Sequence, residues 1–246
     1  VGDTAFAVGG SVQRLGSGGW ELLHPNAYIG DPLYGVWAAS ETEAFAVGAY
    51  GKLMRLRNGA WVPEENLGNT ALNAVHGTSM SDVWAVGESG TALHFDGTTW
   101  TSRADGIEAD VTGIVWDGTR WNAVTAWGAY RFDGTVWLPL DTDARSSPAF
   151  RAVAAGGGRV IGVGESGLVA ELDATGNAFV PAAGLPDVVG DTLRGVAIGA
   201  DGTAWVLGSN LVLRSAAPGT WEELERPQLG TVYGTMFFRG AHVDAA

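Results

Sequence analysis

The chain has 246 residues, 46% of them hydrophobic, and a formal net charge of −13. That length allows one large core or two ordinary ones, and the acidic balance works against binding to phosphate backbones and anionic lipid surfaces, so neither a nucleic-acid partner nor membrane insertion is expected. Cysteine is absent, which excludes disulfide staples and thiolate chemistry, and no apolar run approaches the roughly eighteen residues of a membrane-spanning helix. The basic residues are Lys52 and otherwise arginine, in a background rich in Ala, Gly and Val, which points to a GC-rich bacterial origin. The start at Val1, in mid-pattern and without Met or a charged leader, is expected of a processed or excised segment, with any targeting signal upstream.

Taken from the N-terminus, the predicted elements are all short strands. AFAVG at 5–9 is an apolar run bounded by Gly, SVQRL from 11 alternates, and a third strand opens on Trp20 after a Gly-containing turn. LYGVWA then begins at Leu33, and the same four phrases return: AFAVG at 44–48, KLMRL from 52, Trp61, then LNAVHG at 72–77. The stretch SDVWAVGESGTALHFDGTTWT at 81–101 repeats them once more, followed by VTGIVW from Val111, a degraded WNAVT at 121–125, AYRF from 129 and Trp137. FRAVAA from Phe150, VIGVG at 160–164, LVAEL from 168 and Phe179 make the next set, and LRGVAI from Leu193, AWVLG at 204–208, LVLRS from 211 and Trp221 the one after. VYGTMF from Val232 stands alone at the end. The fourth residues of the first phrase, Val36, Val75, Ile114, Val153, Val196 and Thr235, are 39, 39, 39, 43 and 39 apart.

Four strands in roughly 39 residues, joined by turn-length connections and without a helix-period segment, predict four-stranded antiparallel units in an all-β protein. A small sheet with two apolar faces buries both only by stacking radially on copies of itself. The expected fold is therefore a single six-bladed β-propeller over residues 1–246, closed by pairing 231–237 with the strand at 4–9 so that the C-terminal strand completes the N-terminal blade.

DVWAVGESGTALHFDGTTW, AFAVGAYGKLMRLRNGAW and VIGVGESGLVAEL resemble the extracellular or periplasmic propeller repeats abundant in myxobacteria and, more distantly, the BNR (Asp-box) and photosystem II assembly-factor-like propellers. The Asp-box pattern is met only in a degenerate form, with His94, Asp96 and Gly97 in HFDGTTW. The resemblance implies a non-catalytic binding or scaffold module of a secreted, periplasmic or cell-surface protein. It leaves a sialidase-like glycoside-processing enzyme or a lectin as alternatives.

A feature present in every blade is explained by the blade, so function is sought where the pattern breaks. The aromatics Trp20, Trp61, Trp100, Trp137, Phe179 and Trp221 are expected to cover the gaps between sheets rather than to stack sugars. The near-column Arg14, Arg55, His94, Arg131 and Arg214, interrupted by Glu171, is expected to snorkel or to be locally paired rather than to form an anion-binding girdle. Asp82 and Glu43, just before second-type strands, are expected to accept local backbone hydrogen bonds. The acidic pairs Glu64 with Glu65, Asp141 with Asp143 and Glu222 with Glu223 lack a metal-loop spacing, and the histidines are scattered, so no metal, cofactor or catalytic set is expected.

On the innermost strand the third column is small throughout: Gly35, Ala74, Gly113, Ala152, Gly195 and Gly234. The second column, Tyr34, Asn73, Thr112, Arg151, Arg194 and Tyr233, is polar and differs from blade to blade. It is expected at the mouth of the central channel, beside the loops from Trp20, Trp137 and Phe179, which span 13, 13 and 14 residues against 11 elsewhere. Two readings stand: a solvated channel mouth, or a site for a protein partner or a small anionic or glycan ligand, held chiefly by Arg151 and Arg194. The column has no carboxylate; glycoside hydrolysis there requires Asp187 or Asp191 to swing in from a loop.

Overall fold

The structure is a computed structural model that describes residues 5–24, 32–64, 67–142, 149–188, 190–209 and 211–224. Tyr233 and the expected closing strand at 231–237 lie outside the described residues, as do Glu65 and Asp143. The strands follow the predicted phrases. The first set is β1 (Ala5–Val8), β2 (Val12–Gly16) and β3 (Gly19–His24). The second is β4 (Leu33–Ala38), β5 (Ala44–Gly48), β6 (Leu53–Arg57) and β7 (Ala60–Pro63), and the third is β8 (Leu72–Ser79), β9 (Asp82–Gly87), β10 (Ala92–Phe95) and β11 (Trp100–Ser102). Next come β12 (Val111–Trp116), β13 (Trp121–Thr125), β14 (Gly128–Phe132) and β15 (Trp137–Thr142), then β16 (Phe150–Gly156), β17 (Arg159–Gly164), β18 (Val169–Leu172) and β19 (Ala178–Pro181). The last described set is β20 (Leu193–Ile198), β21 (Ala204–Gly208), β22 (Val212–Ser215) and β23 (Trp221–Leu224).

The chain divides into two compact units, Val1–Trp116 with Phe132–Trp137, and Asp117–Arg131 with Leu138–Ala246. In the first, β4 to β7 and β8 to β11 are four-stranded antiparallel meanders and β1 to β3 form a three-stranded sheet. The inner strands β4, β8 and β12 pack side by side. An added Cβ at Gly35 would lie 3.2 Å from the Ala74 Cα, a close approach that accounts for the small third column here. In the second unit, β16 to β19 and β20 to β23 are the four-stranded meanders, and β16 packs beside β20.

The separate blades expected from the sequence are not separate throughout. Asp141 pairs with Ala178 and Thr142 with Phe179 in a parallel ladder between β15 and β19. β15 is a six-residue outer strand, and the Asp141 N–H extends the contact by donating to the Asn177 carbonyl at 3.0 Å. Outer strands of successive repeats run in the same direction, so their pairing can only be parallel.

The cores lie between the sheets. β5 and β9 are buried on both faces because each is sandwiched, which is why they read as unbroken apolar runs. Trp37, Phe45, Leu72 and Phe95 fill one gap in the first unit, and Val12, Leu33, Met54 and Trp61 another. Ile161, Val163, Leu193, Val206 and Trp221 fill a gap in the second unit.

The outer aromatics reach across to the neighbouring sheet, as expected, in four positions. Trp61 meets Phe6 of the preceding repeat edge-on at 6.2 Å, Trp100 meets Phe45 at 5.4 Å, and Trp137 meets Trp84 at 5.3 Å. Trp221 is buried with Ile161 and Val163 of the preceding repeat, whereas Phe179, also buried, packs at 5.4 Å on Phe150 of its own sheet. Trp20 departs from the expectation: it is 56% exposed.

The DG turns are built by their aspartates. Asp96 Oδ1 accepts the N–H groups of Thr98 and Thr99, both at 2.8 Å, and Asp117 and Asp133 do the same for the residues two and three positions on. Gly97, Gly118 and Gly134 supply the left-handed φ of 100°, 99° and 105° between them. These hydrogen bonds, that from Thr99 first for Asp96 and that from Val136 first for Asp133, hold both carboxyls well below the usual range. The local backbone role expected of Asp82 belongs to these residues instead. Asp82 accepts the Thr78 hydroxyl at 2.6 Å and lies 2.8 Å from His94 Nε2, while Glu43 engages the turn through its main-chain carbonyl, which accepts from Ala39 and Ser40.

Candidate functional site

The inner-strand positions singled out in the sequence share a geometry that the sequence does not announce. In β4 the register steps from Leu33–Gly48 to Gly35–Val47, so Tyr34 is the extra residue of a β-bulge. The same step occurs at Asn73, between Leu72–Gly87 and Ala74–Val86, at Arg151, between Phe150–Gly164 and Ala152–Val163, and at Arg194, between Leu193–Gly208 and Gly195–Leu207. A bulge turns the extra side chain out of the ladder's alternation, a device for aiming a residue at a sheet's rim.

The bulge is imposed by the turn that follows the second strand. In GESG at 87–90, the Glu88 N–H donates to the Ala71 carbonyl at 3.0 Å, clamping the residue before β8. Ala49 does the same to Pro32 and Glu165 to Ala149, each at 3.0 Å. The clamp requires glycine: a Cβ on Gly87 would stand 1.9 Å from the Ala71 oxygen, and one on Gly164 2.0 Å from the Ala149 oxygen. Ser89, Ser166 and Tyr50, the middle residues of these turns, are left-handed at φ 53°, 54° and 55°. Asp110 and Asp191, just before inner strands, brace the same turns by accepting the N–H of Ser89 at 2.8 Å and of Ser209 at 3.0 Å.

In the first unit, Tyr34, Asn73 and Thr112 are therefore carried on the adjacent strands β4, β8 and β12, all half-buried. Asn73 is engaged in holding its neighbour, its Nδ2 donating to the Val111 carbonyl at 3.0 Å. In the second unit, Arg151 and Arg194 are carried on the adjacent strands β16 and β20. Arg151 is exposed and ion-paired with Glu165 of its own blade's turn, and Arg194 is half-buried.

Two aromatics outside the repeated columns belong to the same ends of their blades, on connections between second and third strands. Tyr50, in the turn after β5, is 64% exposed, and Trp127, between β13 and β14, is 72% exposed. Trp127 sits where WNAVT has lost the glycine clamp; Thr125 Oγ1 instead accepts the N–H of Trp127 at 3.1 Å and of Gly128 at 3.0 Å. The signal was in the sequence: Tyr50 stands where two other repeats have Ser, and Trp127 lies outside the column of outer aromatics.

The third-strand column is paired nearly throughout, as expected. Arg14 meets Glu21 at 2.7 Å and Arg214 meets Glu222 at 3.0 Å across the ladder. Arg131 is buried against the Asn122 amide oxygen at 3.2 Å, with Asp117 3.9 Å away. Glu171, which looked like an interruption, is matched by Arg159 at 2.7 Å. It is the Asp82–His94 arrangement with the charges exchanged between strands.

No family model and no curated protein matches the chain. Solved structures do. A YCF48 bound to a D1 peptide matches at 14% identity over 90% of this chain and 77% of its own, with a TM-score of 0.66. A catalytically inactive virginiamycin B lyase from Staphylococcus aureus, solved with quinupristin, matches at 10% identity over 90% of this chain and 77% of its own, TM-score 0.74. A chain of the mitotic checkpoint complex matches at 11% identity over 97% and 78%, TM-score 0.75. At such identities the likeness speaks for the fold alone, and with the sheets above it makes this chain an all-β propeller of four-stranded antiparallel blades.

Proposed function

We propose that the chain is a non-catalytic binding or scaffold propeller of a secreted, periplasmic or cell-surface bacterial protein, whose ligand sits where the inner strands begin. The observation that carries this reading is the repeated bulge, which in four repeats turns a polar side chain out of the ladder: Tyr34, Asn73, Arg151 and Arg194. The exposed Tyr50 and Trp127 add aromatic area at the same ends of their blades, the kind of rigid anchor that dominates binding surfaces. A YCF48 holding a D1 peptide and a propeller inside a checkpoint complex are consistent with a protein segment as partner. The two arginines favour a segment or glycan that ends in a carboxylate. The enzyme alternative is less well supported, because the column has no carboxylate and Asp191 is engaged with Ser209.

The test is calorimetric titration of carboxylate-bearing glycans and C-terminal peptides, alongside p-nitrophenyl glycosides as turnover probes. Arg151→Ala with Arg194→Ala is expected to abolish binding and leave the melting temperature nearly unchanged, since an exposed pair such as Arg151 with Glu165 contributes little stability. Binding that survives the double variant removes this site, and turnover of a glycoside replaces the binding module with an enzyme.

The same reading has the propeller close as six blades, with 231–237 completing the blade that β1 to β3 begin; the support is the 39-residue spacing that ends at Thr235. Deleting residues 230–246 is then expected to expose sheet edges and cause aggregation or loss of cooperative unfolding. A truncated protein that melts like the parent rejects the closure.

A further inference from the structure

In the third-strand column every member but one has its counter-group. Arg14 has Glu21, His94 has Asp82, Arg131 has Asn122 and Asp117, Glu171 has Arg159, and Arg214 has Glu222. Arg55 has no ion pair or hydrogen bond among the described residues, and Glu64 and Glu43 act on it only through space. Its guanidinium lies over the rings of Phe45 at 5.1 Å and Phe95 at 5.3 Å, and its Nε is buried without a hydrogen-bond acceptor. Aromatic faces offset part of the cost of desolvating a cation but accept none of its directed N–H bonds.

An open cleft of about 620 Å³ lies at this residue, walled by Thr42, Glu43, Arg57, Asn58 and Gly97 among others. It is on the first unit's hairpin-turn side, at the opposite ends of the strands from Tyr34 and Asn73. Arg57 is already matched by Glu64 at 2.8 Å. Glu43 occupies the place before the second strand that Asp82 holds one repeat later, yet it does not close on Arg55: it is exposed, and its loop is fixed through its own carbonyl and the Ser40 hydroxyl, which accepts the Glu43 N–H at 3.1 Å. Burial, and after it the neighbouring Arg57, lower the Arg55 pKa while Glu64 and Glu43 raise it; a guanidinium stays charged in proteins, so the site keeps a cation without a hydrogen-bonded acceptor.

We propose that this cleft is a carboxylate subsite for an acidic peptide segment, with the Arg55 guanidinium as its bidentate donor. The occupant is chosen by comparison within the molecule: at other positions of the column the fold itself supplies a protein carboxylate, from Glu21, Asp82 and Glu222, so the missing group is an Asp or Glu side chain from outside.

The probes are N-acetylated, C-amidated Gly-Gly-Glu-Gly-Gly, its Gln counterpart, and free glucuronate, each titrated into the whole chain and followed by backbone amide NMR. The Glu peptide is expected to shift the amides of Asn58, Gly59 and Gly97 saturably and the Gln peptide to leave them in place. Arg55→Gln is expected to weaken binding at least tenfold, and Glu43→Gln, which removes the competing carboxylate, to tighten it. Equal shifts from both peptides, or full binding by Arg55→Gln, overturn the proposal; glucuronate binding as tightly as the peptide overturns the choice of a peptide. Because Arg55 packs on two core rings, Arg55→Gln is paired with Glu43→Gln, which touches no core: should the former not fold, unchanged affinity in the latter overturns the site. The variant with Arg151→Ala and Arg194→Ala is expected to bind the Glu peptide here as the parent does, so the two sites fail separately.

Discussion

Arg159→Leu is expected to lower stability by about 3–5 kcal/mol, the range for removing one member of a buried ion pair. Arg159 is 7% exposed and acts at once on three partners in the second unit. Its Nη2 donates to Glu171 at 2.7 Å and the Ser215 hydroxyl at 3.2 Å, and its Nη1 to the Gly202 carbonyl at 2.9 Å. Leucine fills part of the volume but leaves the Glu171 carboxylate, 16% exposed, facing a sheet with its cation gone, and strands the Gly202 carbonyl. Against a total stability of about 5–15 kcal/mol the loss is a large fraction, and denaturant unfolding of the single variant measures it. Arg159→Leu with Glu171→Leu is expected to recover most of it, because the cost lies in the orphaned charge more than in the missing attraction. A single variant within about 0.5 kcal/mol of the parent, as for an ordinary surface substitution, refutes this account of the pair.

That pair also shows what the sequence could and could not disclose. The repeat, the strand order within each blade and the outer aromatics follow from period and composition, because a strand covered on both faces must be apolar along its length and β5 and β9 read that way. Glu171 looked like a break in an arginine column because its partner is twelve residues earlier, on another strand, and only the register of β17 against β18 places Glu171 opposite Ile161, two residues past Arg159. The bulges at Tyr34, Asn73, Arg151 and Arg194 were invisible for a related reason. They follow from the N–H groups of residues such as Glu88 reaching back to the carbonyl before the inner strand, a long-range hydrogen bond that leaves in the sequence only the glycine that makes room for it. The site column was therefore legible as a variable position, its protrusion from the ladder was not, and the lack of an ion pair at Arg55 needed the partners of its five counterparts for comparison.

Trp137→Ala is expected to cost about 3–5 kcal/mol, as large-to-small changes at buried aromatics do. The indole is 1% exposed, stands edge-on to Trp84 at 5.3 Å and 83°, and leans on Phe132 at 5.2 Å. Its Nε1–H donates to the Arg103 carbonyl at 2.8 Å, and its main chain approaches Gly106 so closely that a Cβ there would lie 2.2 Å from the Trp137 oxygen. The wall around the cavity cannot collapse freely, which places the loss toward the upper part of that range. Trp137→Phe separates the contributions: it keeps most of the ring contact, removes the donor, and is expected to cost more than about 1 kcal/mol through the stranded carbonyl together with the smaller ring. Trp127→Ala, at a side chain 72% exposed, is the control and is expected within about 0.5 kcal/mol of the parent. The ordering of the three midpoints distinguishes the two readings of the tryptophans. If Trp137→Ala unfolds like the parent while a glycan ligand is lost, the outer aromatics are sugar platforms; if it is the least stable of the three and ligand binding is lost only with Trp127→Ala, the outer column is core and the exposed Trp127 is the contact.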